Sequence, residues 1–249
     1  MKAVLAAIVV AYIMPSYGVL KRFASQRDDL SVSNLKAEGV AAVSPALAKD
    51  VSSLMGVTWN SGELMLNASL SVRFPGRCRL ELSSPESTKI LAATSSGGKA
   101  KSEGGDVPAL LVGLEQACSL LAQKAAEEGA TRDVVSKHLT SLKVDLKQVM
   151  LARFYGSVSY VIGQKDGPSF WVYKNAAIAA SDKDKFLPSR LKFTDESGTA
   201  WDVRFSDYTS QATGEIWPRV LEVYKGNEAQ LRVMVLNANA KADLSNVKF

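Results

Sequence analysis

At 249 residues, with 47% of them apolar, the chain is long enough to bury a real core in one large β domain or two small ones. Its net charge is +5 and its pI is near 9.1, but its 30 Lys and Arg residues are interspersed with 25 Asp and Glu. No basic stripe with interleaved aromatics appears, which argues against a nucleic-acid binder. The charge fits plain solubility, or a weak attraction to anionic membrane surfaces.

The first 18 residues read as a secretory signal: Lys2 is a short positive start, Ala3 to Met14 an apolar run, and Pro15-Ser16-Tyr17-Gly18 a breaker with small residues. The run falls short of the roughly 20 apolar residues a spanning helix needs. No cysteine follows it, so no acyl group is attached there. The expected product is a soluble, exported protein, cut after Gly18 or near Ala24. Residues 19–33 are polar and charged, and read as a flexible lead-in. A single domain then covers 34–249, beginning with a strand from Asn34 to Val43. Ser44 to Gly56 gives no clear assignment.

The strongest signal follows. Leu64, Leu66, Ala68, Leu70, Val72 and Phe74 alternate with Met65, Asn67, Ser69, Ser71 and Arg73, the period-two pattern of a half-buried strand. Pro75-Gly76 marks a turn, and Cys78, Leu80 and Leu82 alternate with Arg77, Arg79 and Glu81. Lys89 to Thr94 continues the sheet. Ser95 to Pro108, rich in Gly, Ser and Lys, reads as a mobile loop. The period then changes: Leu110, Leu111, Leu114, Ala117 and Leu121 recur at helical spacing. A second helix is expected from Thr131, a good N-cap residue, through Val134, Val135, Leu139 and Leu142. The helical insert spans about 107–146. Cys78 and Cys118 either pair in an oxidising compartment or stay as two buried thiols; the sequence leaves both open.

Strands resume after Phe154. One carries Val158, Tyr160 and Ile162; another runs from Phe170 to Tyr173 and includes Trp171. Leu191 and Phe193, then Trp201, Val203 and Phe205, form the greasy face of a hairpin turned at Asp195 to Gly198. Val220 to Tyr224 and Leu231 to Leu236 make a last pair. Short turns between sequential strands predict an antiparallel meander. About ten twisted strands tend to curl, and a curled sheet either fills its interior or encloses a ligand. Composition does not decide between these.

Chemistry is sparse. His138, the one histidine, lies on a helix and is expected to be a surface or packing residue. No metal-ligand spacing, nucleophile elbow, phosphate loop or dinucleotide fingerprint appears, so no catalytic or metal residue is assigned, no cofactor is expected and the chain is read as a non-enzyme. Asn67-Ala68-Ser69 matches a glycosylation sequon inside a predicted strand, where a chance match is expected.

Two stretches carry a family resemblance: "LSVRFPGRCRLEL", where an arginine shortly precedes a proline and a second strand restarts, and "LPSRLKFTDESGTAWDVRFSDYTSQATGEIWPRVLEVYKGNEAQLRVMVLNANAKADL". With "VSYVIG" and "FWVYK", they make residues 59–249 resemble the periplasmic lipoprotein carriers of the LolA/LolB superfamily. The resemblance implies a mainly β, α+β fold: an incomplete antiparallel β-barrel around an apolar cavity, covered by lid helices. It implies a periplasmic carrier of lipoprotein acyl chains or lipid, monomeric, taking cargo from an inner-membrane lipoprotein-releasing transporter towards an outer-membrane acceptor. The expected acyl-binding wall is Leu64, Leu66, Leu70, Val72, Phe74, Leu80, Tyr160, Ile162, Trp171, Leu191, Phe193, Trp201, Val203 and Phe205, with Leu114, Leu121 and Leu139 on the lid. Arg73 is the nearest match to an arginine the family uses in lid closure and release. Here Phe74 intervenes before the proline and alternation sends Arg73 to the polar face, so a plain surface arginine is the other reading. Two further functions fit the same residues: a binder of free lipid or another apolar small molecule, and a structural or interaction protein with a filled core.

Overall fold

The computed structural model describes residues 13–125, 127, 129–174, 176–178, 181–211 and 213–249. Most of the expected export signal lies outside the described residues. In chain order the elements are α1 (Ser16–Asp28), β1 (Asn34–Val43), α2 (Pro45–Met55), β2 (Leu64–Arg73), β3 (Arg77–Ser83), β4 (Leu91–Ser96) and β5 (Lys99–Glu103). Next come α3 (Pro108–Leu121), α4 (Ala130–Ser141), β6 (Val149–Phe154), β7 (Ser157–Gly163), β8 (Ser169–Tyr173), β9 (Ala176–Ile178) and β10 (Ser181–Lys185). The chain closes with β11 (Pro188–Thr194), β12 (Ala200–Ser206), β13 (Val220–Lys225) and β14 (Glu228–Asn239).

Twelve strands form one antiparallel sheet in the order β5-β4-β3-β2-β1-β14-β13-β12-β11-β8-β7-β6, and β9 and β10 pair apart from it. The expected meander is present with one twist of connectivity. The first and last strands meet in the middle, Val43 opposite Leu231 and Ala41 opposite Val233. The edges are therefore two internal strands, β5 and β6, and the chain between those edges is the α3–α4 insert. The sheet is open among the described residues, a half-barrel rather than a closed one.

Alternation gives the sheet two faces. Across the inner one runs an unbroken apolar register: Leu80 opposite Leu70, Leu70 opposite Ala37, Leu221 opposite Phe205, Val203 opposite Leu191, and Leu191 opposite Phe170. Helices α1, α2 and α3 cover that face and α4 packs on α1 and α3, so a sheet that is polar on one side buries the other.

Three expectations are corrected here, and one open stretch is assigned. Residues 19–33 are no loose lead-in: most of them form α1, whose Val19, Leu20, Phe23 and Ala24 are buried. Their helical spacing was masked by the charges between them. Ser44 to Gly56 contains α2, with Pro45 in the first turn, a position proline favours. The mobile loop after Ser95 is a hairpin, β4 to β5, turned by Gly97 and Gly98 at φ 62° and 80°. That left-handed pair suits a tight two-residue turn. Strands also resume earlier than expected, with β6 before Phe154.

Candidate functional site

The inner face is built by side chains from most of the sheet strands. Leu64, Leu66, Leu70, Val72 and Leu80 line one half; Tyr160, Ile162, Leu191, Phe193, Trp201, Val203 and Phe205 line the other. All are buried and belong to one continuous cluster that also holds Leu114, Leu121 and Leu139 of the covering helices. Phe74 is half-buried at its margin. Fifteen of the eighteen expected residues are thus brought together in the core of this cluster, and Phe74 borders it.

Two residues are placed elsewhere. Trp171 lies on the outer face in a separate small cluster with Phe154 and Val161, because its neighbours in β8, Phe170 and Val172, take the inner positions. Alternation excludes it from the wall. Arg73 also points outward. It donates to the Leu244 carbonyl at 2.5 Å and lies 5.0 Å from the Phe249 ring centroid, fixing the C-terminal tail across the outer face. Its observed contacts are thus with the C-terminal tail. Phe170, Phe23, Phe186 and Val223 also belong to the inner cluster and were not among the expected wall residues. The register of β8 was the missing signal for Phe170, and α1 itself for Phe23.

The two halves of the face are covered differently. Helix α3 lies close over β3, β4, β5 and β13. Gly113 makes this approach possible: a Cβ there would come 2.7 Å from Val223 Cγ2. Cys78 and Cys118 form a disulfide, with Cα atoms 5.9 Å apart, that bonds α3 to β3. Of the two cysteine states left open by the sequence, the paired one is present. Over the other half, α1 stands off on aromatic side chains: the Phe23 and Phe170 rings meet edge-on at 5.8 Å, and Tyr160 stacks on Phe186 at 5.8 Å. Helix α4 packs on α1, where Thr131 donates to Asp28 Oδ1 at 2.5 Å. Thr131 is therefore a tie between helices; the N-cap position belongs to Gly129.

His138 is the polar joint between α4 and α3. Its Nε2 lies 2.8 Å from Gln116 Oε1, whose amide nitrogen in turn donates to Glu115 Oε1 at 3.3 Å. Burial pushes the imidazole pKa down to about 4 from its ordinary 6.5. The folded state therefore resists a proton that the unfolded chain accepts. Stability is unaffected above pH 6.5 and falls between pH 6.5 and 4. The expected loss is about 3 kcal/mol, seen as a pH-dependent urea midpoint that flattens in the His138→Gln variant.

Outside the face, Asp202 accepts from Arg190 Nε at 2.7 Å and Arg204 Nη2 at 2.8 Å, and both guanidiniums lie over Phe154 at 5.2 and 5.9 Å. Burial alone would raise the Asp202 carboxyl, but the two arginines outweigh it and hold it below the usual carboxylate range. Its stabilisation is present at neutral pH and lost only as pH falls through that lowered value. Asp202→Asn leaves two apposed guanidiniums without their anion; a loss of about 2 kcal/mol is expected in urea unfolding at pH 7.

Four described clefts, of about 460, 400, 220 and 260 Å³, are lined by polar or mixed residues, such as Lys21, Asp28 and Arg132 in the first. None is lined by an expected wall residue. Among the described residues no group of three His, Cys, Asp or Glu could hold a metal ion, and no helix is long and apolar enough to cross a membrane. The face offers apolar surface, and its chemistry is the shelter of apolar groups from water.

The chain is similar to a LolA superfamily protein. That protein, from Nitrosomonas europaea, shares 12% identity at a TM-score of 0.47, over 94% of this chain and 96% of the other. A DUF1329 family protein from Desulfovibrio piger shares 14% identity at a TM-score of 0.39, over 93% and 94%. No protein-family model matches the chain, and no curated protein matches it in sequence. At such identities the functional reading rests on the face itself.

Proposed function

We propose that this chain is a periplasmic carrier that shelters the acyl chains of lipoproteins, or of lipids, on the inner face of its half-barrel and ferries them towards the outer membrane. The observation that carries this is the continuous apolar inner face of an open sheet, covered by separate helices instead of by closing strands. A closed barrel admits a guest only through its open end. Here only side-chain packing must part. Each acyl methylene held out of water is worth about 0.8 kcal/mol, so a face of this kind can offset the cost of drawing a lipid anchor from a bilayer. The apolar N-terminal run and the family resemblance of residues 59–249 support the compartment and the cargo class.

Native mass spectrometry of gently purified protein, followed by lipid extraction, tests the reading. Co-purifying acylated peptide supports lipoprotein transport; free lipid alone supports a lipid binder. Consistent absence of both, with no binding of a fluorescent fatty acid, overturns it. A second reading, a scaffold with a permanently filled interior, has one observation in its favour: every inner wall residue is packed, and none lines a described cleft. The same absence of cargo and probe would establish it.

A further inference from the structure

We infer that one corner of the outer face, beside the hairpin tips that join β2 to β3 and β4 to β5, is a docking surface for the anionic headgroups of a phospholipid bilayer. The inference stands apart from the carrier reading, since it concerns the opposite face of the sheet.

The register places the cations. Arg73 stands opposite Arg77, Arg77 opposite Ser96, and Ser96 opposite Lys99, so one row crosses four strands beside the two tips. Val72 and Cys78, next to the two arginines in sequence, belong to the inner cluster, which sends Arg73 and Arg77 outward. Asn34 extends the row onto β1. The neighbouring row holds Arg79 and Lys101, with Thr94 between them. From β1 to β5 neither row contains a carboxylate side chain.

Elsewhere on this face the charges are matched. Lys192 stands opposite Asp202, and Glu222 opposite both Arg204 and Arg232. Where Arg190 meets Arg204 directly, Asp202 accepts hydrogen bonds from both. Like charges directly opposite each other destabilise a strand pair, and an anion between them relieves the cost. At Arg73 and Arg77 the described residues supply no such anion. Arg73 is turned to the Leu244 carbonyl and the Phe249 ring, neither of which cancels its charge. Asp243, within electrostatic reach of Arg73, accepts from Ser245 N at 2.9 Å and forms no ion pair with it. Glu81 and Glu103 are both taken by Arg79, at 2.8 and 2.9 Å. Arg77, Lys99 and Lys101 are exposed and have no ion-pair partner among the described residues. Paired strands lie about 4.8 Å apart, so the row from Arg73 to Lys99 spans about 14 Å. One small anion cannot bridge that distance. A carpet of separate headgroups meets every cation of the row at once, and an anionic leaflet draws in Lys and Arg clusters of this kind.

The test is co-sedimentation with large unilamellar vesicles of equal parts phosphatidylglycerol and phosphatidylcholine. The wild-type chain should bind them and should not bind vesicles of phosphatidylcholine alone. Raising sodium chloride from about 50 to about 300 mM should release it, because the Debye length shortens. Inorganic phosphate should release it no better than sodium chloride of equal ionic strength. Each cation near the surface is worth about fivefold in affinity, so Arg77→Ser should weaken binding about fivefold and Arg77→Ser/Lys99→Ser about thirtyfold. Lys165→Ser/Lys225→Ser removes the same net charge from exposed positions outside the row and should stay within about twofold of wild type. The salt and phosphate arms use the wild-type chain and need no variant to fold. No binding to the anionic vesicles, equal binding to the neutral ones, release specific to phosphate, or equal weakening by the two double variants would each overturn the inference. All four leave the carrier reading standing, which acyl cargo alone decides.

Discussion

Removing the Cys78–Cys118 disulfide, by Cys118→Ala paired with Cys78→Ala, is expected to lower folding stability by about 4 kcal/mol. The bond closes a loop of 40 residues in sequence separation, and the loop-closure entropy it takes from the unfolded chain sets that magnitude. For a chain of this size the loss corresponds to a fall of about 10 °C in melting temperature. The folded contacts should survive, because α3 remains seated by Gly113 and its buried Leu110, Leu114 and Leu120. Calorimetry with and without reductant checks this: an unchanged melting temperature on full reduction would contradict it. The effect should be independent of pH between 6.5 and 8, which separates it from the His138 effect.

The second large effect is expected at Arg27. Its guanidinium is fully buried, and burial lowers its pKa to about 10, so it remains charged at neutral pH. What holds it there is a set of carbonyl acceptors: Leu121 at 3.4 Å, Ile216 at 3.1 Å, and Glu215. One is at the open C-terminal end of α3; the others lie on the loop before β13. Arg27→Met removes the buried charge, a gain, but leaves these carbonyls without a donor in a dry site. Stranded acceptors outweigh the gain, and a net loss of about 4 kcal/mol is expected in chemical denaturation. Arg27→Lys keeps the charge but loses the planar fork, and should fall between the two. A near-neutral Arg27→Met would mean that water reaches these carbonyls.

The strands were legible because the sheet has one wet face. Leu64 to Val72 and Leu191 to Phe205 alternate cleanly, and period two leaves little freedom once one face is buried. Where both faces of a strand are covered, the signal fades. Phe170, Trp171 and Val172 are all apolar, so Trp171 could be placed on the wrong side by reading alone; only pairing with β11 fixes which ring looks inward. Helix α1 was hidden for a different reason. Its buried residues are divided by Lys21, Arg22 and Arg27, and the third of these is itself buried, against the usual habit of charged side chains. Alternation sends Arg73 to the polar face, but its partner is a tail 171 residues away, a contact that no local pattern encodes.

The pairing of β1 with β14 orders the steps by which the sheet can be assembled. Its central seam joins positions such as Lys36 and Asn239, so neither half has its innermost neighbour until nearly the whole polypeptide is present. Contacts so distant along the chain form slowly. A nascent or partly threaded chain would hold two half-sheets with bare inner edges, and a truncation that deletes β14 would leave them without a common register. Folding of the sheet is thereby tied to completion of the chain's synthesis.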